Sequence, residues 1–276
     1  MRTSLTGLSI ASTHNPIETY HQLGGPGRVF NKALAIPFHL GHPWHSVEFV
    51  RIPPGHNGVG AHQQATDEIY LILLGRGELV TNGEPALVEA GVLAGAPVGT
   101  VHALTNTSAT DDLTLLVVEL AAPANAPAYL PFRRHLLQEL QESEAFHPVI
   151  SGQRRVRPRL AMVDLRHAFL ASWGSLSLVE LPPGSRIPPY VEPENDQLLL
   201  VMQGHATFTI PGEAPAVGTS TEPIRIHSDN RSHQSVLVPR GVPCGWTNRA
   251  SGEYPLLVAS LTVRPARRLP EIERAA

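Results

Sequence analysis

The chain has 276 residues, 42% of them hydrophobic, with 26 prolines and 23 glycines scattered along it. This is the composition of a turn-rich globular protein, long enough for two domains or one large β domain, and it excludes a disordered chain. A formal net charge of −3 gives no electrostatic case for nucleic acid or an anionic membrane, and the single cysteine, Cys244, excludes an internal disulfide framework and fits a reducing compartment. The first residues, Met1–Leu8, lack the apolar core of a signal peptide, and no run reaches bilayer-spanning length. The expectation is a cytoplasmic protein with a small-molecule substrate and no nucleic-acid or membrane partner.

Almost every periodic segment reads as strand. Val47–Ile52, Glu68–Leu74, Gly77–Thr81 and Leu113–Leu120 are short β-rich runs between Pro-Gly and Gly-rich turns. Asn82-Gly83 signals a hairpin. The segment 121–131 is a Pro/Ala-rich connector. Phe132–Ser143 then carries Leu136 and Leu140 four residues apart, which predicts a helix between two halves of the chain. Leu176–Leu181, Gln197–Met202, Ala206–Ile210 and Leu256–Leu261 are further strands. The polar stretch Glu213–Ser235 reads as a loop.

The two halves are related. Trp44–Gly55 (WHSVEFVRIPPG) reappears as Trp173–Gly184 (WGSLSLVELPPG), and in the same register Asp67 maps to Asp196, Glu68 to Gln197 and Gly75 to Gly204. Farther on, Pro97-Val98-Gly99 maps to Pro239-Arg240-Gly241, and Thr105-Asn106 to Thr247-Asn248. The second copy is longer between its halves, in the predicted loop. The expected organisation is a first domain over 1–120, a connector over 121–150 and a second domain over 151–276.

The chemistry concentrates in the first copy. His62, Gln64 and Glu68 stand at even spacing, which brings them to one face if the segment is extended; a bend between Gln64 and Glu68 is the alternative. His102 must join them from another strand. All four offer N or O to a metal ion. If Glu68 points inward, Tyr70 and Ile72 do too; Phe49 and Val59 are further candidates for a pocket wall, and plain barrel filling is the competing reading for Tyr70 and Ile72. His39, His42 and His45 are read as surface or satisfied histidines, since Gly41 and Pro43 break their pattern. Asp67 recurs as Asp196 in the copy without ligands, which favours a structural role. The basic run Arg154–Arg159 reads as a solvated connector.

These motifs resemble the cupins, and the duplication resembles a bicupin. The first cupin motif is matched by Gly55, His62, Gln64, Glu68 and Gly75, and the second by Gly91, Pro97, Gly99, His102 and Asn106. Gln64 departs from the pattern, standing where a second histidine is usual. The resemblance implies two jelly-roll barrels, all-β, joined by a short helical connector, with a divalent metal on His62, Gln64, Glu68 and His102 and a homodimer as the assembly. Glu68 and Tyr70 are the candidate catalytic residues, Glu68 as a base that leaves the metal. The second copy offers Val191, Pro193, Gln197 and Cys244 at the same places, or Tyr190 and Glu192 after a one-residue shift. Neither set suits a metal, so that barrel is expected to be degenerate, with Cys244 as a small buried filler.

Two histidines and one carboxylate with open positions suit Fe(II), with Mn, Ni, Co or Zn as alternatives. The expected activity is a metal-dependent oxygenase acting on a small, mainly apolar organic molecule. A redox-neutral isomerase, cyclase or lyase using the ion as a Lewis acid is the alternative, and a non-catalytic binding barrel the third. Oxalate decarboxylases typically carry arginine three residues before the first metal histidine; Val59 stands there, which counts against oxalate.

Overall fold

The computed structural model describes residues 2–3, 9–13, 15–35, 43–122, 132–135, 140–142, 149–166, 169, 171–209, 224–228, 233–248 and 255–264. Their architecture follows from which faces of the strands are apolar. In the first half, a seven-stranded antiparallel sheet faces a four-stranded one. Thr66–Leu74, Leu113–Ala121 and Trp44–Ile52 lie side by side at the centre of the larger sheet. Gly58–Gln63, Val101–Asn106, Arg76–Thr81 and Glu84–Glu89 make the smaller. The second half repeats the arrangement around Trp173–Leu181, Leu256–Val263 and Asp196–Thr209. The fold is two jelly-roll barrels in tandem.

The central strands are buried on both faces. Val50, Ile52, Tyr70, Ile72, Leu115 and Val117 fill the interior of the first barrel. Their neighbours Val47, Phe49, Ile69, Leu71, Leu116 and Val118 face the other way and join Leu176, Leu178, Leu198, Leu200, Ala259 and Leu261 in one core shared by both barrels. A third core, around Phe208 and Trp246, fills the second barrel.

The hairpin at Asn82-Gly83 is present. Both residues have positive φ (49° and 86°), the two-residue turn that matches strand twist, and Thr81 pairs with Glu84. Gly75 ends its strand at φ 82°, where an added Cβ would lie 2.2 Å from the Asp112 carbonyl oxygen.

Three expectations need correction. Phe132–His135 is not the start of a helix; it is a strand paired antiparallel to Val92–Ala96, and Gln141–Glu142 pairs with Arg159–Leu160. The remainder of that predicted helix, 136–139 and 143, lies outside the described residues. The predicted loop in the second copy holds the strand Ile224–Ser228 and, at its end, the first two residues of another, Gln234–Val238. The expected strands over 197–202 and 206–210 are one continuous strand, Asp196–Thr209. The pairing also crosses the boundaries read from sequence, because Ser9–Ser12 joins the second barrel through Gln234–Leu237 and Phe132–His135 joins the first.

Candidate metal centre

The turn after Gly58–Gln63 decides the geometry. His62 ends that strand in the small sheet, Gln64 sits in the turn, and Glu68 lies on Thr66–Leu74 in the large sheet. The chain bends between sheets, so His62 and Glu68 converge across the barrel interior rather than along one extended face. His102 is the direct antiparallel partner of His62, and their rings meet edge-on at 4.2 Å. One ligand atom each from His62, Glu68 and His102 falls within 4.8 Å of the others. Gln64 lines the same cavity.

Hydrogen bonding orients both histidines. The Nδ1 of His62 lies 2.8 Å from the Gly60 carbonyl oxygen, and that of His102 lies 3.0 Å from the Thr100 carbonyl oxygen. A carbonyl only accepts, so each Nδ1 carries the proton and each Nε2 presents a lone pair. The Nε2 of His102 and the Oε1 of Glu68 are buried without a hydrogen-bond partner. Their residues are 4% and 2% exposed. The Nε2 of His102 also lies 3.4 Å from the other Glu68 carboxylate oxygen, Oε2. An acceptor nitrogen held this close to a carboxylate, with a further carboxylate oxygen unpartnered, is the condition a bound cation relieves. The residues present therefore fit a divalent ion with N and O ligands.

Tyr70 is buried and its hydroxyl donates to Glu68 Oε2. Burial, then the Glu68 charge and hydrogen bond, hold its pKa well above the usual phenol value, so it remains a neutral donor. Burial lowers the His102 pKa, but the hydrogen bond that a protonated Nε2 would donate to Glu68, the Glu68 charge and the Thr100 carbonyl outweigh it, so the net direction is upward from 6.5.

The cavity around these groups encloses about 490 Å³ including its open mouth. Of the predicted wall residues, Val59 and Tyr70 line it. Ile72 points into the same barrel but packs in the core beneath. Phe49 lies on the opposite face of its strand, in the core shared with the second barrel. The residues next to it, Glu48 and Val50, face the cavity, as do Val117 and Glu119 on the neighbouring strand. Sequence reasoning missed Glu48 and Glu119. Both carboxyls have raised pKa values, through burial first and the Glu68 charge second.

In the second barrel Tyr190 pairs with Cys244 as His62 pairs with His102, so the one-residue shift is the correct alignment. The Tyr190 hydroxyl donates to Gln197 at 2.9 Å, across the place where a metal would sit. Cys244 is 1% exposed, and burial pushes its thiol up to about 12, as fits a small buried filler. Among the described residues, no cluster of metal-ligating side chains occurs there.

The comparisons agree with this architecture. Residues 48–119 match the family described as "Cupin domain". Over 117 residues, 42% of this chain and 96% of the relative, the chain is 31% identical to the oxalate-binding protein of Thermotoga maritima. Among solved structures, the oxalate decarboxylase of Lactobacillus farciminis in its formate complex superposes with a TM-score of 0.64 at 13% identity, over 94% of this chain and 86% of that one. The bacterial pirin of Escherichia coli in complex with nickel(II) superposes with a TM-score of 0.60 at 13% identity, over 94% and 100%. The duplicated barrels, the paired histidines opposite Glu68 and these similarities converge: the chain belongs to the cupin superfamily and is a bicupin.

Proposed function

We propose that this bicupin is a metal-dependent enzyme acting on a small organic molecule, with His62, Gln64, Glu68 and His102 as ligands and Fe(II) as the ion. The observation that carries the reading is the pair of orphaned buried acceptors, His102 Nε2 and Glu68 Oε1, facing one cavity. A bound Fe(II) supplies O2-dependent oxidation of a substrate held beside it. The protein's own groups do the rest. The Gly60 and Thr100 carbonyls fix the imidazoles, Tyr70 holds the Glu68 carboxylate, and Val50, Val59, Leu104 and Leu115 keep water from the wall. The four ligands all fall within the division 1–120, and the barrel built mainly from 151–276 supports it through the shared core and the strands that cross between them.

A redox-neutral Lewis-acid reaction is the second reading. It is favoured by Glu48 and Glu119, whose raised pKa values suit groups that exchange a proton with substrate. Turnover measured with and without O2, and after exchange of Fe(II) for Zn(II), separates the two. The oxygenase reading predicts loss in both tests; turnover unchanged by either contradicts it and leaves the Lewis-acid reading. Mn, Ni and Co are compared in the same assay.

A further inference from the structure

Three glutamates from three adjacent strands enter one cavity. Glu119 is the direct cross-strand partner of Glu68, while Val117, two residues earlier on the same strand, pairs with Glu48 on one side and Tyr70 on the other. Glu48, Glu68 and Glu119 all line the cavity, and no lysine or arginine does so among the described residues. The Glu68 Oε1 facing that space has no partner. Glu119 does have neighbours behind it: the Thr66 hydroxyl donates to its Oε2 at 3.3 Å, and His45 Nε2 lies 3.7 Å away at the half-exposed rim.

This changes the charge the site presents. A divalent ion with Glu68 alone leaves about one positive charge, which would attract an anion. Glu48 and Glu119, when ionised, turn that into about one negative charge within a poorly solvated wall. Poorly solvated carboxylates without a cation are costly, and the cation-capable neighbour, His45, sits at the half-exposed rim beside Glu119 and not within the cavity wall. A ligand can supply the cation there.

We propose that the cavity takes a substrate bearing a protonated amine, held by the carboxylates of Glu48 and Glu119, with its metal-binding oxygen turned toward His62, Glu68 and His102. The inference deepens the functional reading above and rests on it for the metal-binding end of the substrate only. The same pair makes Glu48 and Glu119 specificity-determining residues that repel small dicarboxylates such as oxalate.

The test uses full-length protein loaded with redox-silent Zn(II), whose metal content is measured in every sample. Dopamine, catechol and protocatechuate share a metal-binding diol and carry a cationic, neutral and anionic substituent pattern respectively. Calorimetry at neutral pH should rank them in that order, with dopamine ahead of catechol by about tenfold or more, as expected for a charge-assisted hydrogen bond. Combined Glu48→Gln and Glu119→Gln should retain the metal and erase that preference. Where the double variant fails to fold, Glu48→Gln alone is scored by the same shift. Tighter binding of protocatechuate or oxalate, no preference for dopamine, a preference indifferent to the substitutions, or no binding at millimolar concentration would each overturn the proposal. Dopamine preference in protein that takes up no metal would instead sink the metal reading and leave the ammonium pocket standing.

Discussion

Tyr70 shows how much one side chain adds beyond the ligands. Its hydroxyl donates to Glu68 from a fully buried position, so Tyr70→Phe leaves the carboxylate with one donor fewer and nothing to replace it. Outer-shell partners of metal ligands typically govern about 10–100-fold in affinity, and a loss of that order is expected in a metal-competition titration. An unchanged affinity would show that Tyr70 is barrel filling. His102 sets the pH dependence of loading. A proton and a metal compete for its Nε2, and its pKa is raised above 6.5 in the metal-free site. Metal affinity should therefore weaken already as pH falls through values above 6.5. The ligands were legible because their residue types and spacing are unusual. Glu48 and Glu119 were not, because Trp44–Ile52 and Leu113–Ala121 are buried on both faces and alternation gives no phase. The same lack of phase leaves Phe49 and its neighbours Glu48 and Val50 equally eligible for the wall from sequence.

At the scale of elements, the two aspartates read as structural from their repetition are cross-barrel ties. Asp67 accepts from the backbone N–H of Val98 at 2.8 Å and from that of Ala171, in the second half, at 2.9 Å. Asp196 accepts from the Arg240 N–H at 2.9 Å and from the indole of Trp44, in the first half, at 3.0 Å. Hydrogen bonds to a buried charge contribute about 1.5–3 kcal/mol, so Asp67→Ala should lower unfolding stability by at least that much, measured by denaturant titration of the metal-free protein. A change near zero would mean the ties are redundant with the shared core. The segment Gln22–Gly24 forms the cavity mouth, with Gln22 and Leu23 in its wall. Glycines let it approach the ligand strand: a Cβ on Gly60 would lie 2.1 Å from the Leu23 carbonyl oxygen. Gly60→Ala should push this strap outward and speed metal release, read in a chelator-exchange assay. The strap has no periodic signature, and neither does the strand Phe132–His135. There the spacing of Leu136 and Leu140 suggested a helix, whereas backbone pairing along Val92–Ala96 decided the outcome.

For the whole molecule, the duplication explains why neither barrel stands apart. Residues of both halves share one core, and Ser9–Ser12 reaches across to pair with the second barrel. A fragment ending at residue 150 would expose that apolar face, and it should aggregate or bind a hydrophobic dye; a soluble, cooperatively folding fragment would contradict this. The metal-free protein should also favour mild acid. Glu48 and Glu119 have folded pKa values raised above 4.5, and His102 above 6.5. A raised folded pKa gives stability that is complete below the unfolded value and lost as pH rises through the folded one. The melting temperature should therefore fall from mildly acidic toward neutral and alkaline pH, with a shallower slope in the Glu48→Gln and Glu119→Gln variants. The repeat made the tandem barrels legible from sequence. Their back-to-back seam was not, because the apolar residues that build it carry no mark distinguishing them from interior ones.

The most direct measurement is an anomalous-scattering map from crystals of the full-length protein grown after metal loading. The account predicts one peak per chain, bounded by His62 Nε2, His102 Nε2 and a Glu68 carboxylate oxygen, and none beside Tyr190, Gln197 and Cys244. A map without the first peak, or with the ion held in the second barrel, would contradict it.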